Sequence, residues 1–192
     1  MKKKAFIFAT LAVLAATIII YFLPKLKDDG MEILYPRPYY DIVKEEAKRF
    51  SLDENLIYAI MRAESKFDED AESHAGAIGL MQLMPDTFEW ILSKYPMEGS
   101  DGEAVNEMPD IYSPKDNIYA GAALLSFLLD YYASIEVALC GYNAGMGNVS
   151  QWLSSEEYSN NGETLHTIPF SETNAYVKKV KQNYAVYEDL YG

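Results

Sequence analysis

The position with the most chemical promise is a carboxyl where a core side chain is expected. After Asp53 the apolar residues Ile57, Ile60 and Met61 recur at helical spacing, and the next position on that stripe is Glu64. Apolar surroundings disfavour a carboxylate, raise its pKa above the ordinary value of about 4.3 and let it hold a proton near neutrality. A Glu in that condition is a general acid, able to protonate a leaving oxygen. Two ordinary explanations stand beside this one: a pairing with Arg62 or Lys66, or a stripe that has emerged into solvent at a helix end. Arg62 and Lys66 each lie two positions from Glu64, a spacing that does not share a helix face.

Other suggestive residues fall in blocks. Ala63-Glu64-Ser65-Lys66-Phe67 is followed by Ala71, Ser73 and then Gly76-Ala77-Ile78-Gly79-Leu80-Met81-Gln82-Leu83-Met84-Pro85-Asp86-Thr87. Gly141-Tyr142-Asn143-Ala144-Gly145 comes later, and Ile168-Pro169-Phe170-Ser171-Glu172-Thr173-Asn174-Ala175-Tyr176-Val177 last. His74 and His166 are far apart, and the lone Cys140 sits in an apolar run, Val137 to Cys140, as a small buried hydrophobe would. That distribution supports no metal site, and no phosphate-cradling glycine motif is present. No cofactor is expected.

The elements that must carry these blocks read as helices almost throughout. Tyr40, Val43, Ala47 and Phe50 mark a first amphipathic helix. Ser51 with Glu54 three positions on predicts a capping box for the helix that bears Glu64. Pro85 suits the first turn of a third helix through Trp90 and Leu92, and Ser113-Pro114 opens another that buries Ile118, Ala122, Leu125 and Leu129. A short helix follows over 135–142, and Ser171 is expected to cap a last one carrying Val177, Val180, Tyr184 and Tyr187. Residues 96–112 form a polar acidic loop, a cleft rim or a plain insertion, and 154–168 are irregular with room for a short hairpin. The fold class is mainly α, a single domain.

Taken together, the four blocks, in this order and at these spacings, resemble the catalytic domain of the soluble-type lytic transglycosylases. These are glycoside hydrolases related in fold to goose-type lysozyme. The resemblance spans about residues 38–190 and implies a lysozyme-like helical domain. It places the catalytic Glu on Glu64, the one preceding Ser with an aromatic two further on. It implies a cleft lined by Gly79, Leu80, Met81 and Gln82, with Gln82 touching sugar and Tyr142 facing the catalytic carboxyl. Ser73, Asn143, Glu172 and Tyr176 complete the implied substrate-binding set. Gly141 stands where relatives often have Ala. Tyr112, Tyr158 and Trp152 are further candidates for platforms under sugar rings.

Ordinary glycosidases need a second carboxylate as nucleophile or as base for water. Asp68, Asp70, Glu72, Asp86 and Glu172 are the candidates near the blocks, and none has the required setting in the sequence. The resemblance implies chemistry that dispenses with one. Glu64 protonates the bond between N-acetylmuramic acid and N-acetylglucosamine, then takes a proton from the same muramoyl C6 hydroxyl, closing a 1,6-anhydro ring. The internal nucleophile has a high effective concentration. A hydrolytic muramidase on the same fold and a non-catalytic peptidoglycan-binding or assembly module remain as alternatives.

The N-terminus is different material. Lys2, Lys3 and Lys4 precede 19 uncharged residues, Ala5 to Leu23, closed by Pro24-Lys25-Leu26-Lys27. As a helix this stretch would rise about 28 Å, close to the roughly 30 Å of a bilayer's hydrocarbon. Its bulky end, Ile18 to Leu23, lacks the small residues of a cleavage site, which favours an uncleaved signal anchor over a cleaved secretory peptide. The expected division is an anchor over 1–27, a linker over 28–37 and a catalytic domain over 38–192. The anchor would sit in the cell membrane, N-terminus inside and catalytic domain outside. Residues 28–192 carry 11 basic against 29 acidic residues, a formal charge of −18. So acidic a domain repels nucleic acid. The expected partner is the peptidoglycan glycan strand; the sequence names no protein partner.

Overall fold

The computed structural model describes residues 30–97, 108–132 and 134–192. After a short helical turn at 30–34 come α1 (Tyr40–Phe50), α2 (Glu54–Glu64), α3 (Pro85–Lys94), α4 (Pro114–Tyr131), α5 (Ile135–Ala144), α6 (Met146–Leu153) and α7 (Ser171–Tyr191). The described residues contain no strand, only isolated bridges from Glu72 to Ile78 and from Ile78 to Leu83, so the mainly α class holds. The hairpin allowed for at 154–168 does not form: these residues make turns and bends, with His166 N–H donating to Tyr158 O at 2.9 Å. The anchor expected over 1–27 and the centre of the acidic loop, 98–107, lie outside the described residues. Among the described residues no helix is long and apolar enough to cross a membrane.

At the centre is α2, buried from Asn55 through Met61 and again at Ala63. Ile57, Ile60 and Met61 are fully buried, and each contributes about 1.5–3 kcal/mol by leaving water. The helix starts differently from the capping box expected. Asp53 is the N-cap, accepting from Asn55 N–H at 2.8 Å, while Ser51 ends α1 in the left-handed region with φ 54°. A carboxylate two residues nearer the helix outcompetes the hydroxyl for the same orphan amides. Ser171 likewise is the first residue of α7 and makes no cap; Phe170 holds the N-cap position.

Helix α7 packs along α2. Lys179 Nζ reaches Ala63 O at 2.5 Å and Asn183 Nδ2 reaches Ala59 O at 3.2 Å, while the Tyr184 hydroxyl donates to Asp53 at 2.7 Å. Partners advance along one helix as they retreat along the other, so the two run antiparallel. On the other side α4 is buried from Asn117 to Leu125 and packs on α1, α3 and α5. Leu128 is buried where the sequence suggested Leu129, and Tyr40 of α1 is 42% exposed while Val43 and Ala47 enter the core.

The segment before α1 is fastened to the domain from Tyr35 onward. Tyr191 donates to Tyr35 O at 2.9 Å, Tyr187 to Pro36 O at 3.0 Å and Tyr58 to Pro38 O at 3.1 Å. The Arg37 guanidinium is ion-paired with Glu54 and lies 4.9–5.0 Å from the ring centres of Tyr40, Tyr58 and Tyr191. The linker expected over 28–37 is therefore a docked strap at its C-terminal end. Backbone carbonyls make these contacts, and carbonyls leave no apolar periodicity to read.

Candidate active site

Glu64 ends α2 at the point where the helix gives way to an irregular segment, 65–84. Ser65 joins the two: its hydroxyl donates to Leu80 O at 2.8 Å and accepts from Phe67 N–H at 3.1 Å. Lys66 and Phe67 follow with φ of 55° and 70°, which turns the chain sharply away from the helix. Glu64 keeps an edge to solvent, while burial pushes its carboxyl up to about 7. Two neighbours oppose that rise, the Tyr176 hydroxyl and, more weakly, the Lys179 ammonium. No second carboxylate acts on it among the described residues. Arg62 is held elsewhere, 4.0 Å above the Tyr35 ring, and Lys66 is exposed beyond the helix end.

Two tyrosines close over the carboxyl. Tyr176 of α7 is 7% exposed; its hydroxyl is shielded from solvent and makes no hydrogen bond of ordinary geometry, though it faces Glu64 closely enough to affect it. Tyr142 of α5 donates to Met81 O at 3.0 Å. Both phenols are raised well above the ordinary value, first by burial and then by the Glu64 charge. They remain protonated, and supply hydroxyl dipoles beside Glu64.

The 71–83 loop is braced from within. Ser73 Oγ accepts from Ala77 N–H at 3.0 Å, and Gly79 N–H donates to Ala71 O at 2.8 Å. Gln82, at φ 47°, donates through Nε2 to both Ala71 O and Gly79 O at 2.9 Å. The amide nitrogen of the side chain expected to touch sugar is thus committed to the backbone, leaving Oε1 as the polar atom Gln82 can offer. Leu80 and Met81 are fully buried, so their side chains lie in the core behind this loop. Gly79 is required by space: at φ +78°, an added Cβ would lie 2.5 Å from Asn117 Nδ2.

Asn117, buried in α4, was not singled out in the sequence, yet it positions the whole loop. Its Oδ1 accepts from Met81 N–H at 2.8 Å, and Nδ2 donates to Ile78 O at 3.0 Å and Ile111 O at 2.9 Å. The Met81 side chain lies against Gly121, where a Cβ would fall 2.2 Å from Sδ. An Asn four residues before a Gly on an apolar helix is the signal that could have found this pair.

Asn143 and Glu172 belong to a second part of the site. Asn143 Oδ1 accepts from the buried Thr173 hydroxyl at 2.8 Å, and both residues line a cavity of about 560 Å³ with Phe170 and the exposed Glu172. Phe170, 47% exposed, stands edge-on to Trp152 at 4.9 Å. Trp152 itself is core, so Phe170 is the open ring that the sequence reading attributed to Trp152. Tyr112 is 55% exposed and borders a different cavity, with Phe88 and Met108. A larger hollow of about 830 Å³, between Tyr131, Met146 and Glu163, contains none of the expected residues. The other carboxylates considered, Asp68, Asp70, Glu72 and Asp86, are exposed. No group of three or more metal-binding side chains gathers among the described residues.

Comparison with known proteins shows the family and agrees with the fold. The family model described as "Transglycosylase SLT domain" matches residues 41–164, well over half of the chain. The chain belongs to this family. Among curated relatives of the SLT domain, the soluble lytic murein transglycosylase of Escherichia coli K12 is 29% identical over 166 residues. That match covers 85% of this chain and 25% of the relative. The membrane-bound lytic murein transglycosylase C of Actinobacillus pleuropneumoniae is 31% identical over 169 residues, covering 76% of this chain and 44% of the relative. A solved structure of an inactive mutant of the lytic transglycosylase Slt from Pseudomonas aeruginosa superposes with a TM-score of 0.68 at 34% identity, covering 83% of this chain and 25% of that one. The chain thus spans a quarter to under half of the length of these relatives.

Proposed function

We propose that this SLT domain cleaves peptidoglycan glycan strands as a lytic transglycosylase, with Glu64 as its single catalytic acid and base. The observation that carries the reading is the Glu64 carboxyl, raised to about 7 by burial with no other carboxylate among the described residues acting on it. At that value a large fraction is protonated near neutrality, as a proton donor to the glycosidic oxygen must be. In the same range its conjugate base can take the proton of the muramoyl C6 hydroxyl. The bond between the anomeric carbon and the leaving oxygen breaks, the bond from O6 to that carbon forms, the original Glu64 proton leaves on the departing sugar, and the O6 proton restores Glu64 to its acid form. Water is not consumed.

The exposure of Asp68, Asp70, Glu72, Asp86 and Glu172 favours this over a hydrolytic muramidase, which needs a second carboxylate at the bond. Ser73, Gln82, Tyr142, Asn143, Glu172 and Tyr176 form the substrate-binding surroundings, with Gly79, Leu80 and Met81 shaping the wall behind them. Residues 1–27 tether the domain to the cell membrane, a reading supported by the uncharged stretch from Ala5 to Leu23 and by a relative whose name says membrane-bound.

Incubation of the protein with purified peptidoglycan, followed by mass analysis, tests the reaction. Anhydro-muramoyl ends, each lighter by one water than the hydrolytic product, are expected. Reducing muramoyl ends would instead establish the hydrolase. Glu64→Gln should abolish cleavage, and a variant that still cuts at the wild-type rate overturns the assignment of Glu64.

A further inference from the structure

Resting on that reading of Glu64, the packing of α7 on α2 assigns a role to a residue that the motif blocks leave out. Lys179 stands three positions after Tyr176, a spacing that puts both side chains on one face of α7. That face lies against the end of α2: Tyr176 borders the Glu64 carboxyl, and the Lys179 ammonium donates to Ala63 O, one peptide away. Ala63 O is among the carbonyls left without an intrahelical partner where α2 stops, so a cation there also meets the negative end of the helix dipole. No ion pair joins Lys179 to Glu64 within 4 Å.

We propose that Lys179 is a positioning residue that serves Glu64 as a standby counter-ion. It is parked on the Ala63 carbonyl while Glu64 holds its proton, and is close enough to stabilise the carboxylate once that proton has gone to the leaving oxygen. One carboxyl that must act as acid and then as base needs such a partner. A tight ion pair would keep it ionised and unable to donate. With no cation nearby, burial alone would make the carboxylate costly to form. A lysine satisfied by a neutral carbonyl meets both demands.

The surroundings fit. Among the described residues the groups facing Glu64 are Tyr176 and Lys179 from α7 and Tyr142 from α5; Arg62 and Lys66, near Lys179, lie on α2 and just past its end. Lys179 feels Glu64 as a favourable charge and Lys66 and Arg62 as unfavourable ones, while burial works against its own charge. The two like charges discourage a permanently clamped ammonium at this spot.

The test uses the full chain with ¹³C-labelled glutamate, in which the Glu64 carboxyl is titrated by NMR and identified by its loss in Glu64→Gln. Lys179→Gln can still donate to Ala63 O but carries no charge, and Lys179→Arg keeps the charge. The Glu64 midpoint should rise by about half to one pH unit in Lys179→Gln and stay within a few tenths of wild type in Lys179→Arg. The alkaline limb of the rate of peptidoglycan cleavage should move with it. An unmoved Glu64 midpoint in Lys179→Gln, with the variant folded by circular dichroism, makes Lys179 a helix cap and nothing more. If Lys179→Gln does not fold, the titration of Lys179→Met decides in the same way. Failure of the underlying reading shows separately, as cleavage that survives Glu64→Gln.

Discussion

The Tyr142 hydroxyl and the Met81 carbonyl meet at 3.0 Å across 61 residues of sequence, fastening α5 to the loop beside Glu64. Tyr142→Phe leaves that carbonyl without its partner next to a half-buried ring. Unfolding in urea should show a loss of about 1–2 kcal/mol. Cleavage should slow more than substrate affinity weakens, because the hydroxyl also faces Glu64. A variant as stable and as fast as wild type would mean that the bond is idle.

Glu64 makes stability depend on pH in an unusual direction. The folded protein holds its proton up to about 7, while the unfolded chain releases it near the ordinary value of 4.5. Between those values the native state binds more protons, so the contribution of Glu64 to stability falls as pH rises through that window. Glu64→Gln removes the cost of the buried charge. It should be more stable than wild type at pH 8 by about 1–3 kcal/mol and close to it at pH 4, read by calorimetry. A gain of stability accompanied by loss of cleavage is the signature of a residue kept for chemistry.

Gly79 and Asn117 form one unit, so damage to either should displace the loop. Gly79→Ala combines a left-handed φ of +78° with a Cβ 2.5 Å from Asn117 Nδ2. Asn117→Ala strips Met81 N–H, Ile78 O and Ile111 O of a partner. Each should cost about 2–4 kcal/mol, and the double variant should cost less than the sum. Strict additivity in a double-mutant cycle would show the two acting independently.

Gly141 is small because its neighbours are large. A Cβ there would sit 3.0 Å from Tyr132 Cε2 and 3.1 Å from Leu128 Cδ2. Gly141→Ala should therefore lower stability by about 1 kcal/mol or more, despite the better helix propensity of Ala. An increase in melting temperature would show that the Tyr132 ring gives way freely.

Much of this molecule was legible in the chain. Periodicity located every helix but the eight-residue α6, Met146–Leu153, too short to repeat a stripe, because burial repeats along a single element, and it set Glu64 on the apolar stripe of α2. Pro85 and Pro114 mark helix starts for a local reason, the absence of an N–H that the first turn does not use. The order of the blocks led to the family. Tertiary structure alone decided which atoms those blocks spend on each other. The Gln82 amide turns inward, Leu80 and Met81 disappear behind the wall, Phe170 takes the open place of Trp152, and Lys179 arrives beside Glu64 from the far end of the chain. Such contacts join elements distant in sequence. Their partners are backbone groups and packing gaps, which carry no residue identity for a pattern to reveal.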